Sequence, residues 1–257
     1  MNLVRYPVVE LRQYTLRPGQ RDVLIDLFDR EFVESQEAAG MAIVGQFRDL
    51  DDPDRFVWIR GFASMPARAK ALAAFYGGPV WKQHAAAANA TMIDSDNVLL
   101  LRPATARAGF PASAAPRPPA APRPPAAPLP AAAPLPPAGQ PATAAAPPAC
   151  LLVTLYYRDR PFDPAFTTFF EQEARPLLAQ SGAAPLAWLQ TEYAENTFPA
   201  LPVRTGEHVF AWLARFPSPG HLDTHLRAPA PCPALAGMIT GDPQRLRLAP
   251  TGRSLLR

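Results

Sequence analysis

One succession of hydrophobic periods occurs twice in this chain, once on each side of a long Ala/Pro stretch, and that duplication narrows the fold more than any other feature. In the first copy, residues 8–16 read as a strand, and Arg17-Pro18-Gly19 opens a helix whose Leu24, Leu27, Phe28 and Phe32 recur at helical spacing until Gly40 stops it. Residues 41–48 and 55–62 are strand-like runs joined by the turn Asp51-Asp52-Pro53-Asp54, which makes them a hairpin. Ser64 caps a helix through Tyr76, Pro79 starts another that carries Trp81 and His84, and residues 94–102 close the copy with an apolar strand. The order is βαββαβ with a split second helix.

The second copy keeps that order. Residues 151–157 are a strand, and Asp163-Pro164 starts a helix lined by Phe162, Phe166, Phe169 and Phe170, expected to bend at Pro176 and to end at Gly182. Strands follow at 184–192 and 208–216, then a helix capped by Ser218, a broken helical stretch to Met238 and a last strand near 245–248. Phe56, Trp58 and Phe62 align without gaps on Phe210, Trp212 and Phe216, and each set is followed two residues later by its serine cap. A single match could arise by chance; the set points to duplication.

Between the copies, residues 104–149 are almost wholly Ala and Pro, hold nearly half of the 34 prolines and carry only Arg107, Arg117 and Arg123 as charges. Such a stretch cannot donate a regular hydrogen-bond ladder, so a flexible or polyproline-like linker is expected, although a groove that reads PxxP segments could also take it. The chain thus divides into a ferredoxin-like repeat at 1–103, a linker at 104–149 and a divergent ferredoxin-like repeat at 150–257. A βαββαβ unit covers only one face of its sheet with helices, so the other face needs a partner. The expected fold class is α+β: two repeats, tethered so that their pairing is intramolecular, forming a pseudo-dimeric barrel with a cavity between the two sheets. Homodimerisation of the whole chain stays open.

Composition excludes several functions. A net charge of +3 and a charged fraction of 18% leave no electrostatic footprint for nucleic acid. No apolar run reaches the ~18 residues of a membrane span, and the N-terminus shows no export signal, so a cytoplasmic protein is expected. Cys150 and Cys232, without metal-ligand spacing, are expected as free thiols. No GxGxxG, GxxxxGK[ST] or GxSxG pattern and no acidic cluster is present.

The residues that could carry chemistry are few. On the first strand, Glu10, Arg12 and Tyr14 share one face; if Leu11 faces the helices, the trio faces the cavity, where Arg12 could hold an anionic oxygen, Tyr14 donate a proton and Glu10 act as base. The competing reading is an internal ion pair that only sets strand register. His84 shares a helix face with Trp81 and is the best single candidate for general acid/base work, against a half-exposed structural histidine. His221 and His225 stand four apart without an HExxH glutamate, and no metal is expected. Trp58, Trp81, Trp188 and Trp212, with Arg60, are candidate ligand contacts, against ordinary core packing for the aromatics.

The segment Glu10-Leu11-Arg12-Gln13-Tyr14-Thr15-Leu16 followed by Pro18-Gly19 resembles the N-terminal signature of the NIPSNAP family, and Phe75-Tyr76-Gly77-Gly78-Pro79-Val80-Trp81-Lys82 with Asp94-Ser95-Asp96 resembles its bacterial members. The resemblance is close over the first half and weaker over the second, including Leu248-Ala249-Pro250-Thr251. It implies the dimeric α+β barrel superfamily, whose members include cofactor-free monooxygenases, haem-degrading enzymes, dehydratases and decarboxylases, so it fixes fold better than chemistry. Two functions are therefore weighed. One is a cofactor-independent enzyme, monooxygenase-, isomerase- or cyclase-like, acting on an aromatic or polyketide-like small molecule, with haem on His84 as the alternative cofactor. The other is a non-catalytic binding or assembly protein that recruits a partner through the barrel surface or the Pro-rich linker.

Overall fold

Each half builds its own four-stranded antiparallel sheet, and the two sheets join edge to edge into a closed ring. The computed structural model describes residues 6–110, 116–120 and 149–257. In the first half β1 (Val8–Leu16) leads to α1 (Arg21–Leu27), a π turn (Phe28–Phe32) and α2 (Val33–Ala38). The hairpin β2 (Ala42–Asp49) and β3 (Arg55–Phe62) follows, then α3 (Met65–Tyr76), α4 (Pro79–Thr91), a short β4 (Met92–Asp94) and β5 (Val98–Pro103). In the second half β6 (Cys150–Arg158), α5 (Pro164–Phe169), a π turn (Phe170–Ala174) and α6 (Arg175–Gln180) precede β7 (Pro185–Thr191) and β8 (His208–Phe216). The half ends with α7 (Pro219–Arg227), a 3-10 turn (Pro233–Met238) and β9 (Gln244–Pro250).

The sheet orders are β2-β3-β1-β5 and β7-β8-β6-β9, and the last strand of each half pairs with the second strand of the other, β5 with β7 and β9 with β2. The result is an eight-stranded antiparallel barrel of two ferredoxin-like repeats with helices outside. The repeat extends to register: Glu10, Arg12 and Tyr14 oppose Arg60, Trp58 and Phe56, as Leu152, Thr154 and Tyr156 oppose Ala214, Trp212 and Phe210. Ser64 and Ser218 cap α3 and α7 by accepting from Ala67 N and His221 N. Gly40 and Gly182 end the first helical stretch of each half at φ of 100° and 84°, a left-handed conformation that glycine adopts without strain.

Two details go beyond expectation. A π turn at the same place in both halves interrupts the first helical stretch, and in the second half it lies directly upstream of Pro176, which stands in the first turn of α6. The linker also begins later than Ala104. Ala104 N donates to Trp188 O and Trp188 N to Ala108 O, while the apolar Ala108 and Phe110 are buried. Arg117 donates to Arg253 O at 2.6 Å and to Glu37 at 2.6 Å, so residues 116–120 lie against the barrel. The remainder of the expected flexible stretch, 111–115 and 121–148, and residues 1–5 of the N-terminus lie outside the described residues. Among the described residues no helix is long and apolar enough to cross a membrane, and both cysteines are buried free thiols.

The barrel interior is filled. Val9 and Leu11 of β1, Val57 and Ile59 of β3, Val153 and Leu155 of β6, and Ala211 and Leu213 of β8 form one apolar cluster, with Phe47, Phe110 and Leu256 among the residues that complete it. The cavity expected between the two sheets is therefore a hydrophobic core. Because alternate strand residues point to opposite faces, the side chains out of phase with Leu11 project into two separate layers between sheet and helices, one in each half. A packed interior predicts that Leu155→Ala lowers unfolding stability by about 2–5 kcal/mol, read from urea denaturation. An unchanged midpoint with unchanged denaturant dependence would mean that the interior is hollow.

Candidate functional site

Among the described residues, the helix-covered layer of the first half is the one place where several fully buried charges lie together. Glu10, Arg12, Arg60 and Arg68 are 0%, 1%, 0% and 0% exposed, which sets three guanidiniums around a single carboxylate. Glu10 Oε2 receives Arg12 Nη1 at 2.6 Å and Arg60 Nε at 2.8 Å, and Oε1 receives Arg68 Nε at 2.6 Å. Arg12 Nε donates to the Tyr14 hydroxyl at 3.0 Å, which leaves the phenol proton free. Gln36 of α2 accepts from Arg60 Nη1 at 3.2 Å.

Local structure explains how these groups meet. Glu10, Arg12 and Tyr14 alternate along β1 on its helix-facing side, Arg60 is the cross-strand partner of Glu10, and Arg68 stands one turn after the Ser64 cap on the buried face of α3 with Ala71, Leu72 and Phe75. Aromatic rings fill the space between: Arg12 lies over Tyr14 and Trp58 at 5.3 and 5.5 Å, Arg60 over Trp58 and Phe62 at 5.0 and 5.5 Å, and Arg68 over Phe62 at 6.0 Å. Burial alone would push the Glu10 carboxyl up, but Arg60, Arg12 and Arg68 together hold it well below its ordinary value of 4.5. Burial pushes the Tyr14 phenol up, against the pull of Arg12, so Tyr14 stays protonated.

The cover comes from the other half. The loop between β7 and β8 crosses onto the first half, where Asn196 accepts from Arg68 Nη1 at 2.9 Å, Thr197 accepts at 3.3 Å, and Phe198 stacks on Tyr76 with 6.0 Å between ring centroids. Several buried polar atoms of the first half have no hydrogen-bond partner among the described residues: Arg68 Nη2, Trp58 Nε1 and both side-chain polar atoms of Gln46, the cross-strand neighbour of Trp58.

The expected site residues are thus divided. Glu10, Arg12, Tyr14, Trp58 and Arg60 come together, but against the helices and not inside the barrel, because Leu11 and not the charged trio faces inward. The ion pair and the candidate site are the same object. His84 lies outside the cluster on α4, with Nε2 3.6 Å from Glu31, and Phe32 and Trp81 pack between α4 and the sheet. Trp188 and Trp212 belong to the separate layer of the second half, where Trp188 Nε1 donates to Glu171 at 3.1 Å. Among the described residues no three His, Cys, Asp or Glu side chains gather as metal ligands; the His221 ring bonds Ser218 and the His225 ring packs on Phe216. Sequence reasoning missed Arg68, Gln46 and Asn196. Arg68 had a legible signal, being in phase with the apolar face of its own helix.

Residues 9–106 match the family model NIPSNAP. Two crystal structures resemble the whole chain, both of proteins provisionally named monooxygenases. One, from Lactobacillus acidophilus NCFM, is 11% identical with a TM-score of 0.50 and covers 95% of this chain and 94% of that one. The other, from Fusobacterium nucleatum subsp. nucleatum ATCC 25586, is 9% identical with a TM-score of 0.53 and covers 96% and 94%. A NIPSNAP family protein with unknown function from Agrobacterium tumefaciens str. C58 is 21% identical, covers 40% of this chain and 94% of its own, and has a TM-score of 0.36. No curated protein matches the sequence. At these identities the likeness is one of fold.

The charge geometry predicts the response to removing the carboxylate. Glu10→Gln leaves three guanidiniums buried without a counter-ion and should cost about 3–5 kcal/mol in urea unfolding at neutral pH. Because the folded-state pKa of Glu10 is depressed, its contribution is complete above the ordinary value of 4.5 and is lost as pH falls below that toward the folded value. The E10Q protein should therefore lack part of the acid-side loss of stability seen in the parent, and identical acid limbs would contradict the assignment.

Proposed function

Residues 9–106 are a NIPSNAP domain, and from the charged cluster on its first strand we propose that the protein is a small-molecule-binding α+β barrel whose first half holds the anionic oxygen of an aromatic or largely apolar ligand. The observation that carries this reading is the charge balance, three fully buried guanidiniums against one carboxylate. Buried charge without a counter-ion is costly. Cation–π contacts with Tyr14, Trp58 and Phe62 offset part of that cost, about 0.5–2 kcal/mol each, but they supply no negative charge. A ligand carboxylate, enolate or phenolate would supply it, and the unpaired Arg68 Nη2 and Trp58 Nε1 would gain an acceptor.

The same arrangement suits chemistry. An oxyanion that develops on a bound carbonyl or phenol is stabilised by fixed cations in a site closed to water. Tyr14, which accepts from Arg12 and keeps its own proton, is placed to donate to that oxygen. Turnover through an enolate or phenolate, without a cofactor, is the reaction class this supports, and it includes the monooxygenase-, isomerase- and cyclase-like conversions of aromatic or polyketide-like substrates. Entry requires the β7–β8 loop to lift, since Asn196 and Thr197 close over Arg68.

Calorimetric titration with 2-naphthoate tests the proposal. Saturable binding at one site per chain is expected, weakened roughly ten- to hundredfold in Arg68→Gln, the loss of one hydrogen bond to a charged group. Absence of saturable binding, or equal affinity in the parent and the R68Q protein, would overturn it.

A further inference from the structure

The second half carries the same scaffold with the charges removed. Register places Leu152 where the first half has Glu10, Thr154 where it has Arg12 and Ala214 where it has Arg60, and counting from the serine caps places Leu222 where it has Arg68. Tyr156, Trp212, Phe210 and Phe216 meanwhile keep the aromatic positions of Tyr14, Trp58, Phe56 and Phe62. Three long guanidinium side chains and a carboxylate have become shorter, uncharged ones, and two of the replaced positions, Leu152 and Thr154, line a cavity of about 260 Å³.

The chemistry of the walls is specific. Leu152, Leu178 and Leu235 make the inner surface apolar, and no fully buried charge lies among the lining residues; Asp242 and Arg245 are exposed, and Arg245 is the cross-strand partner of Thr154, its charge felt by Tyr156 and His225. Thr154 and Trp212 are cross-strand partners on the sheet wall; Thr154 Oγ1 and Trp212 Nε1 are both buried and make no hydrogen bond of good geometry among the described residues, with the Tyr156 hydroxyl beside Trp212 on the same wall. Burial also holds the His225 imidazole below its ordinary pKa, so that it lines the cavity in its neutral form. Two adjacent donors without a well-placed partner in a largely apolar cavity, with a cation and no carboxylate beside Thr154, suit one hydrogen-bond acceptor.

We infer that the cavity between β6, β8, α7 and the 3-10 turn of the second half is a binding site for an uncharged, hydrophobic small molecule that presents a carbonyl oxygen to Thr154 and Trp212. The volume lies just below the roughly 300–1,000 Å³ of ordinary ligand pockets, which sizes the ligand at one or two rings. The site is distinct from the charged cluster of the first half: it lies across the packed barrel interior from it, and it selects for the absence of charge where the other selects for an anion.

Two probes of nearly equal shape separate the hydrogen bond from simple burial, 2-acetylnaphthalene and 2-isopropenylnaphthalene, titrated against the full chain by fluorescence. The ketone should bind at one site per chain. Thr154→Val and Trp212→Phe should each weaken the ketone about tenfold and leave the hydrocarbon unchanged, while Arg68→Gln affects neither. The T154V protein should unfold at the same urea concentration as the parent or a higher one, because the substitution removes an unpaired buried hydroxyl. That control keeps loss of binding apart from loss of fold. The inference is overturned by an absence of saturable ketone binding, by equal losses for ketone and hydrocarbon, by unaltered ketone affinity in both variants, or by a ketone site that disappears in R68Q.

Discussion

Closure of the ring through β5–β7 and β2–β9 is the constraint on which everything else rests. An isolated four-stranded sheet of either half would expose Val9, Leu11, Val57 and Ile59, or Val153, Leu155, Ala211 and Leu213, to water. Pairing the last strand of each half with the second strand of the other removes all four sheet edges and seals those side chains in one core. The interior is thereby committed to packing, and the buried charges of one half and the cavity of the other lie outward, in the two layers under the helices.

Those layers have diverged in the direction that duplication allows. A fold that repeats its register repeats its pocket positions, so each half offers the same geometric frame to evolution while only one need keep a given chemistry. In the first half the frame holds a carboxylate that organises three guanidiniums, and cation–π contacts with Tyr14, Trp58 and Phe62 make a buried positive site tolerable. In the second, Leu152, Thr154, Ala214 and Leu222 take those places, and the aromatic residues remain. Changing one position alone would strand buried charge: an Arg60→Ala change without the others removes one of Glu10's partners and leaves an alkyl gap beside Arg12. The four positions are coupled by electrostatics and volume, which is why they differ as a set.

The architecture was legible because its signals are local and redundant. Strand runs, serine caps at 64 and 218, left-handed glycines at 40 and 182, and the gapless Phe-Trp-Phe match each point to the same unit, and strands 55–62 and 208–216 fall where periodicity puts them. The site was legible in membership but not in direction. Along Val8–Leu16 every second residue is compatible with burial on either side of a sheet whose two faces are both covered, so alternation says that Glu10, Arg12 and Tyr14 stand together without saying which way. The decisive clue was Arg68, an arginine in phase with Ala71, Leu72 and Phe75 on a helix that must pack on the sheet. A buried arginine there needs a carboxylate opposite, and Glu10 is the acid that strand geometry offers. The opposite placement, with the trio in the cavity, holds only if Leu11 faces the helices, and Leu11 packs in the barrel interior instead. His84 stands apart from that cluster: helical spacing puts it on the face of Trp81, while its ring meets Phe32 and Glu31.

The two halves also differ in who covers whom, and this bears on why they share a chain. The connection between β7 and β8 spans residues 192–207 and reaches across the seam to close on Arg68, whereas its counterpart between β2 and β3 is the short turn around Asp52, whose neighbour Asp51 meets Arg247 at the barrel rim. The charged site is therefore composite: its cations come from one repeat and its lid from the other. In a symmetric dimer of identical repeats a lengthened loop would cover both sites alike. Joining the repeats lets one copy lengthen the loop while the other receives it, so the charged cluster of the first half can be covered while the cavity of the second half is left without such a cover.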